Sequence, residues 1–139
     1  REITAADVMS GKETATELAN WALSQQKSPL IYSSADPAVV AKAQEDYGRE
    51  IIATAIETFF ADLAANLTTK GIKRMDVAGG ETSGAVVTGL QAQTLHIGPK
   101  LAPGVPALRH GDMALALKSG NFGAEDFFTT ALRDMDNTS

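Results

Sequence analysis

The chain has 139 residues, of which 44% are hydrophobic and 21% charged, and its formal net charge is −5. This composition is typical of one globular domain that can bury an apolar core. The negative charge and the lack of clustered Lys and Arg argue against nucleic acid as a partner. The absence of cysteine excludes disulfides and Cys-ligated metals, and it favours a reducing, cytoplasmic location.

We find no apolar run near the ~20 residues that span a bilayer and no secretory signal, so we expect no membrane association. The chain begins at Arg1 rather than at methionine. We therefore expect residues 1–139 to be a single domain from a longer polypeptide.

The first half of the chain carries three helix signals and one strand signal. Apolar residues at helical spacing predict a helix over 14–26, and the short apolar run 29–32 predicts a buried strand. Asp36 followed by Pro37 is typical of an N-cap and first helical residue. Apolar residues at three- and four-residue steps predict a long core helix over 49–67.

The second half alternates strands, glycine-rich turns and helices. A strand over 72–78 precedes the glycine-rich turn 79–84, a short helix over 85–90 and a strand over 94–97. Three prolines and two glycines predict that residues 98–106 form a loop.

A fourth strand over 113–117 then leads through the glycine-rich turn 119–123 into a closing helix over 125–133. Because the strands alternate with helices, we expect an α/β fold. Its form would be a three-layer α/β/α domain with a mainly parallel sheet.

Three polar or glycine-rich segments follow predicted strands: Ser33 with Ser34, residues 79–84, and residues 119–123. In parallel sheets the carboxyl ends of the strands meet at one edge, where ligands bind. The coincidence of three such segments therefore predicts a binding site at this edge.

The first glycine-rich turn suits an anion, because glycine permits close backbone approach and the next helix presents unpaired N–H groups. Thr82 and Ser83 could hydrogen-bond a phosphate oxygen, and Glu81 could bind Mg²⁺ through water or a ribose hydroxyl. The spacing matches neither a P-loop nor a dinucleotide fingerprint. An ordinary tight turn capped by Thr82 or Ser83 explains the same residues, so both interpretations stay open.

The second turn contains Gly120, Asn121 and Gly123, and Lys118 comes directly before it. The lysine could neutralise phosphate, and the glycines permit a backbone cradle for an anion. An exposed lysine before a loop is the alternative. Residues 98–106 could form a wall of an adenine pocket or only connect two strands.

His96 and His110 are isolated in the sequence. We predict that His96 lies in a strand, that His110 lies in a loop and that the two do not form a metal site. Ser33 and Ser34 have no base nearby in the sequence, so nucleophilic catalysis is not expected.

Several motifs together resemble a known family. They are IYSSADP (31–37), VAGGETSGAV (77–86), IGP (97–99), APGVP (102–106), LKSGNFG (117–123) and DFF (126–128). In this order they are similar to the C-terminal nucleotide-binding domain of the four-carbon acid sugar kinase family.

The resemblance implies an ATP- and Mg²⁺-dependent kinase whose N-terminal domain binds threonate, erythronate or a 3-oxo-tetronate and whose C-terminal domain binds ATP. By motif, the nucleotide contacts would be Gly79, Gly80, Glu81 and Thr82, with Gly120 or its neighbours. The acid-sugar domain is absent from this chain, and so is a Gly-Ser-Cys-Ser-type segment that opens the family's nucleotide domain. Two alternatives remain open. The chain could be a non-catalytic regulatory module, or it could be a structural dimerisation domain that forms a homodimer.

Overall fold

The computed structural model describes residues 1–33 and 36–136, which form six helices and one four-stranded sheet. The helices are α1 (Ala5–Met9), α2 (Ala15–Ser24), α3 (Pro37–Tyr47), α4 (Arg49–Thr69), α5 (Gly80–Gly89) and α6 (Phe127–Asp136). The strands are β1 (Arg74–Ala78), β2 (His96–Ala102), β3 (Val105–His110) and β4 (Met113–Lys118). The predicted α/β class is therefore confirmed.

The sheet has the order β1-β4-β3-β2. Strand β1 runs parallel to β4, whereas the β4–β3 and β3–β2 pairings are antiparallel. The expectation of a mainly parallel sheet is corrected, because short turns connect β2, β3 and β4 and only β1 reaches the sheet through a helical crossover.

The predicted loop over 98–106 is instead the middle of a β-hairpin. Its first five residues belong to β2, its last two belong to β3, and Ala102 pairs with Val105 across the turn. The prolines are accommodated because the pairing shifts register on both sides of Lys100 and β2 is an edge strand. His110 ends β3 and is therefore not a loop residue.

The predicted buried strand over 29–32 is not part of the sheet. It makes one isolated parallel bridge, between Tyr32 and Glu2, and its apolar side chains are incompletely covered. Leu30 is 53% exposed and Tyr32 is 40% exposed. The local pattern is that of a strand, but the described residues place no further strand against it.

The helix boundaries follow local signals closely. The Thr14 side chain accepts a hydrogen bond from the Glu17 amide at 3.3 Å, which is one half of a capping box. Asp36 accepts from the Ala38 amide at 2.8 Å with Pro37 at the first helical position, as predicted. Helix α5 begins five residues earlier than expected, because the glycine-rich turn itself is helical from Gly80.

Helices cover both faces of the sheet, so the three-layer arrangement is confirmed. On one face, α6 packs Phe127, Ala131 and Met135 against the alanines of β4. On the other face, a second core joins Ala64 of α4, Val77 of β1 and Val86 of α5. A third core, which lies away from the sheet, packs α2 against the Phe and Leu stripe of α4.

The expectation that no apolar segment is long enough to span a bilayer is corrected at helix α4. By length and composition alone this 21-residue helix could cross a membrane, since an 18-residue window within it has a mean hydropathy of 1.3. The described residues bury only 22% of its apolar window, although α1, α2, α3 and α5 all pack against it. Its buried residues Phe59, Phe60, Leu63 and Ala64 belong to two of the hydrophobic cores, which is the arrangement of a helix packed within a domain.

The contact between α4 and α5 depends on the absence of a side chain at Gly89. A Cβ atom there would lie 2.1 Å from the Ala61 carbonyl oxygen. We expect Gly89→Ala to lower the free energy of unfolding by about 1–3 kcal/mol, because the two helix backbones must separate.

Gly84→Ala in the same helix is the matched control, since its Cβ would meet nothing within 4 Å. It should raise stability by about 0.5–1 kcal/mol through helix propensity. Urea unfolding of both variants measures the difference, and equal effects would contradict the close packing.

Candidate functional site

The two glycine-rich turns meet at one edge of the sheet. Because β1 and β4 are parallel neighbours, their carboxyl ends lie side by side. The Gly79 amide donates a hydrogen bond to the Lys118 carbonyl at 2.9 Å, which joins the two turns directly. We call residues 79–82 and 118–120 the glycine edge.

The first turn presents the bare N-terminus of α5. Gly79 is the N-cap with φ 105°, a conformation that favours glycine, and no side chain in the described part of the chain caps the helix. The amides of Gly80, Glu81 and Thr82 have no carbonyl four residues earlier within the helix, so they point outward as donors. A Cβ at Gly80 would meet nothing within 4 Å, which leaves room for a ligand against the backbone.

The second turn holds a cation over its own backbone. The Lys118 ammonium donates to the carbonyls of Ser119 at 3.2 Å and Gly120 at 3.3 Å. It also lies 5.7 Å from the ring centroids of Phe127 and Phe128, close enough for cation–π attraction. Gly120, like Gly80, has open space where a Cβ would be.

A cavity of about 720 Å³ opens beside the glycine edge. Its polar lining includes Ser33, Thr82, Lys118 and Gly120, so three segments predicted to converge do converge. Ser34 lies outside the described residues. The apolar wall comes from one side of α4, from Val86 and from residues 29–32.

The remaining predicted residues do not line the cavity, and these include Gly79 and Gly80 of the glycine edge. Glu81 and Asn121 are exposed and do not line the cavity. The Ser83 hydroxyl is buried and has no hydrogen-bond partner among the described residues. Gly123 serves the fold, because its φ is 94° and a Cβ there would lie 2.9 Å from the Phe127 ring. The hairpin turn at Gly104 lies next to Phe122, since a Cβ at Gly104 would be 3.8 Å from that ring, and it does not line the cavity.

Asp76 lines the cavity, and the sequence reasoning missed it. Both carboxylate oxygens are shielded from solvent, and neither has a hydrogen-bond partner of normal geometry among the described residues. Burial raises the pKa of Asp76 to about 7, against the opposing effects of the Lys118 ammonium and the nearby Val77 amide. A charged residue inside the apolar strand Arg74–Ala78 was the signal that could have found it.

Within the described ranges, no group of three or more His, Cys, Asp or Glu side chains is placed to hold a metal ion. His96 is exposed on β2, and His110 lies near the Thr94 carbonyl at 3.3 Å. Asp112 pairs with Lys73 at 3.1 Å and so does not form a dyad with His110.

Comparison with known proteins identifies the family. Residues 1–128 match the family model described as the nucleotide-binding C-terminal domain. The chain belongs to this family. It is 46% identical over 124 residues to 3-oxo-tetronate kinase of Salmonella typhimurium, a match that covers 86% of the chain and 30% of that kinase. It is 41% identical over 132 residues to the kinase of the same name from Pseudomonas savastanoi, which covers 93% and 31%.

Solved structures agree with this assignment. A Salmonella typhimurium protein described as a putative tRNA synthase superposes with a TM-score of 0.85 at 42% identity, over 96% of this chain and 34% of that one. A Haemophilus influenzae protein superposes with a TM-score of 0.84 at 37% identity, over 94% and 33%. The family resemblance is confirmed, and the chain spans about a third of the length of the proteins that it matches.

The raised pKa of Asp76 predicts a pH-dependent stability. The folded chain holds the Asp76 proton up to about pH 7, whereas an ordinary Asp releases it near 3.8. The free energy of unfolding therefore falls as pH rises between these values. After allowing for the partial exposure of the residue, we expect the stability advantage of Asp76→Asn to grow by about 1 kcal/mol from about pH 5.5 to about pH 8.5.

Thermal unfolding across this pH range measures the effect. Asp112→Asn is the control, because the Asp112 side chain is 87% exposed and only paired at the surface. Its difference from the parent chain should be the same at every pH. Parallel curves for Asp76→Asn as well would show that Asp76 titrates normally.

Proposed function

We propose that this chain is the ATP-binding part of a kinase that phosphorylates the terminal hydroxyl of a four-carbon acid sugar. The observation that carries the proposal is the glycine edge, where two turns joined by the Gly79–Lys118 hydrogen bond leave open space at Gly80 and Gly120. An uncapped helix N-terminus and an ammonium group next to the same space suit a polyphosphate.

The residues of the glycine edge would act by positioning and electrostatics. The three free amides of α5 would donate to phosphate oxygens, and the positive end of the helix would favour their charge. Lys118 would turn from its two carbonyl partners toward the phosphate, with little cost because both contacts are at the long end of normal. Such contacts supply most of the rate in phosphoryl transfer, in which the protein does little covalent chemistry.

A magnesium ion would be held at this site mainly by the phosphates of the bound nucleotide. Mg²⁺ is generally held by one or two carboxylates together with phosphates and water, so a dedicated cluster of side chains is not required. Glu81, exposed in the first turn of α5, is the carboxylate that we assign to this role. When bound with ATP, the ion would neutralise charge on the phosphates.

The acid-sugar substrate is proposed because of the names of the relatives. Several curated relatives at 41–49% identity are named 3-oxo-tetronate kinase, which favours a kinase over a non-catalytic regulatory module. We assign sugar binding and the general base to the part of the relatives' length that this chain does not cover. The net charge of −5 disfavours tRNA as the substrate, despite the description of one structural neighbour. We place the reaction in the cytoplasm, consistent with a chain that lacks cysteine.

Nucleotide binding at the glycine edge is tested by filling its open space. Gly80→Val and Gly120→Val should each weaken ADP binding at least about tenfold, a loss of about 1.4 kcal/mol, because the new side chain occupies the phosphate position. Both glycines lie outside the left-handed region and face open space, so the fold should survive.

Calorimetric titration with ADP and Mg²⁺ measures the affinity, and Gly84→Val serves as the control because it adds the same side chain to α5 one helical turn after Gly80, also into open space. The site is misplaced if the control weakens binding as much as the two edge variants. The proposal fails if neither this chain nor the full-length protein binds a nucleotide.

Catalysis is tested in the full-length protein with ATP and a panel of tetronates and 3-oxo-tetronates. We expect Lys118→Met to lower kcat/KM at least about tenfold, because it removes the cation of the glycine edge. Lys73→Met is the matched control, since Lys73 is exposed at the opposite end of β1 and pairs with Asp112. Nucleotide binding without phosphorylation of any acid sugar would favour the regulatory module.

A further inference from the structure

The outer edge of β1 is unpaired within the described residues. β1 lies at the end of the sheet, and only β4 pairs with it. Ala114 donates to the Lys73 carbonyl and Gly79 donates to the Lys118 carbonyl, so the odd-numbered residues face β4. In a parallel strand alternate residues face opposite neighbours, and the backbone groups of Arg74, Asp76 and Ala78 therefore face outward.

A second unpaired edge faces the same cavity. The Tyr32 amide donates to the Arg1 carbonyl at 3.1 Å and the Tyr32 carbonyl accepts from Ile3 at 2.9 Å, which forms a short parallel pairing with the chain start. By the same alternation, the backbone groups of Ile31 and Ser33 point away from that pairing. Ile31 and Ser33 line the cavity, as do Asp76 and Ala78 of β1.

We propose that one further β-strand of the same polypeptide lies between β1 and residues 30–33 in the complete protein and pairs with both. The 720 Å³ cavity would be the space for this strand, and its wall is suited to one. Phe60, Leu63 and Leu67 of α4 form an apolar floor against which side chains of the strand would pack. Residues 29–32 would then become the buried strand that their sequence predicts.

The greater length of the relatives indicates where the inserted strand would come from. This chain spans 30% of the Salmonella kinase and 34% of the Salmonella structure, so most of each homologous polypeptide lies outside it. An intramolecular strand pays little association entropy, which makes it a better occupant than a second copy of this chain.

Two further observations favour a strand over a small ligand. Unpaired strand edges are aggregation-prone unless they are covered, and two of them border this cavity. Among the described residues the Asp76 carboxylate also has no hydrogen-bond partner, and a polar side chain on a neighbouring strand could donate to it. A nucleotide at the glycine edge could occupy part of the same cavity, but it has no row of backbone donors and acceptors to pair with both edges. The inference therefore does not depend on the proposed function.

Residue-resolved hydrogen exchange tests the pairing. In the full-length protein the amides of Asp76 and Ala78 should exchange at least about tenfold more slowly than in this chain. The amides of Met75 and Val77 face β4 and should be protected in both, so they serve as the internal control. Equal exchange of Asp76 and Ala78 in the two proteins would overturn the proposal.

The other occupants give different results. Protection of Asp76 and Ala78 in this chain that rises with protein concentration would indicate a second copy and overturn the proposal. Protection that appears in this chain only with ADP would assign the cavity to the nucleotide, with the same consequence. The comparison of this chain with the full-length protein measures exchange of the Asp76 and Ala78 amides without nucleotide. If the chain binds no nucleotide, the test of the inserted strand can therefore still be interpreted.

A substitution in the full-length protein provides an independent measurement. Ala78→Pro removes an outward-facing amide, and a proline is tolerated on an edge strand but not on a central one. We expect a large fall in Tm for Ala78→Pro and little change for Ala78→Ser, which keeps the amide. If both variants unfold at the same temperature, Ala78 lies on a free edge and the inserted strand is excluded.

Discussion

The parallel pairing of β1 with β4 is the constraint on which the rest of the structure depends. It brings the carboxyl ends of two strands that are far apart in sequence to adjacent positions, where the Gly79 amide bonds to the Lys118 carbonyl. Helix α5 follows β1 and helix α6 follows β4, and they pack on opposite faces of the sheet. The glycine edge is thus a direct consequence of one register, and the two sheet cores flank it.

Sequence patterns predicted the elements whose signals are local. The N-cap at Asp36, the periodicity of α4 and the position of both glycine-rich turns depend on residues within one or two helical turns. The convergence of Thr82 and Lys118 on one cavity was also predictable, because the carboxyl ends of parallel neighbouring strands meet at a common edge. Ser33 lines the same cavity from a segment outside the sheet, so the reasoning from strand ends does not account for its position. The prediction of a mainly parallel sheet was wrong, because β2, β3 and β4 are joined by short turns and therefore pair antiparallel.

The features that the sequence could not predict depend on distant partners. Prolines argue against strands, and only the register shifts around Lys100 allow Pro99 and Pro106 to lie in a hairpin. The strand signal of residues 29–32 is sound locally, yet its neighbours within the described residues pair with one side only. Asp76 was overlooked for a similar reason, since burial and the proximity of Lys118 arise only when β1, β4 and α6 come together.

Asp76 and the glycine edge are electrostatically linked through Lys118. An ionised Asp76 next to a bound polyphosphate would repel it, and burial would strengthen that repulsion. With a pKa of about 7, Asp76 can take up a proton at little cost near neutral pH. A phosphate that draws Lys118 toward the glycine edge would also remove the cation that stabilises the carboxylate. Both effects would favour the neutral acid, so under the proposed function occupancy of the glycine edge and protonation of Asp76 would reinforce one another.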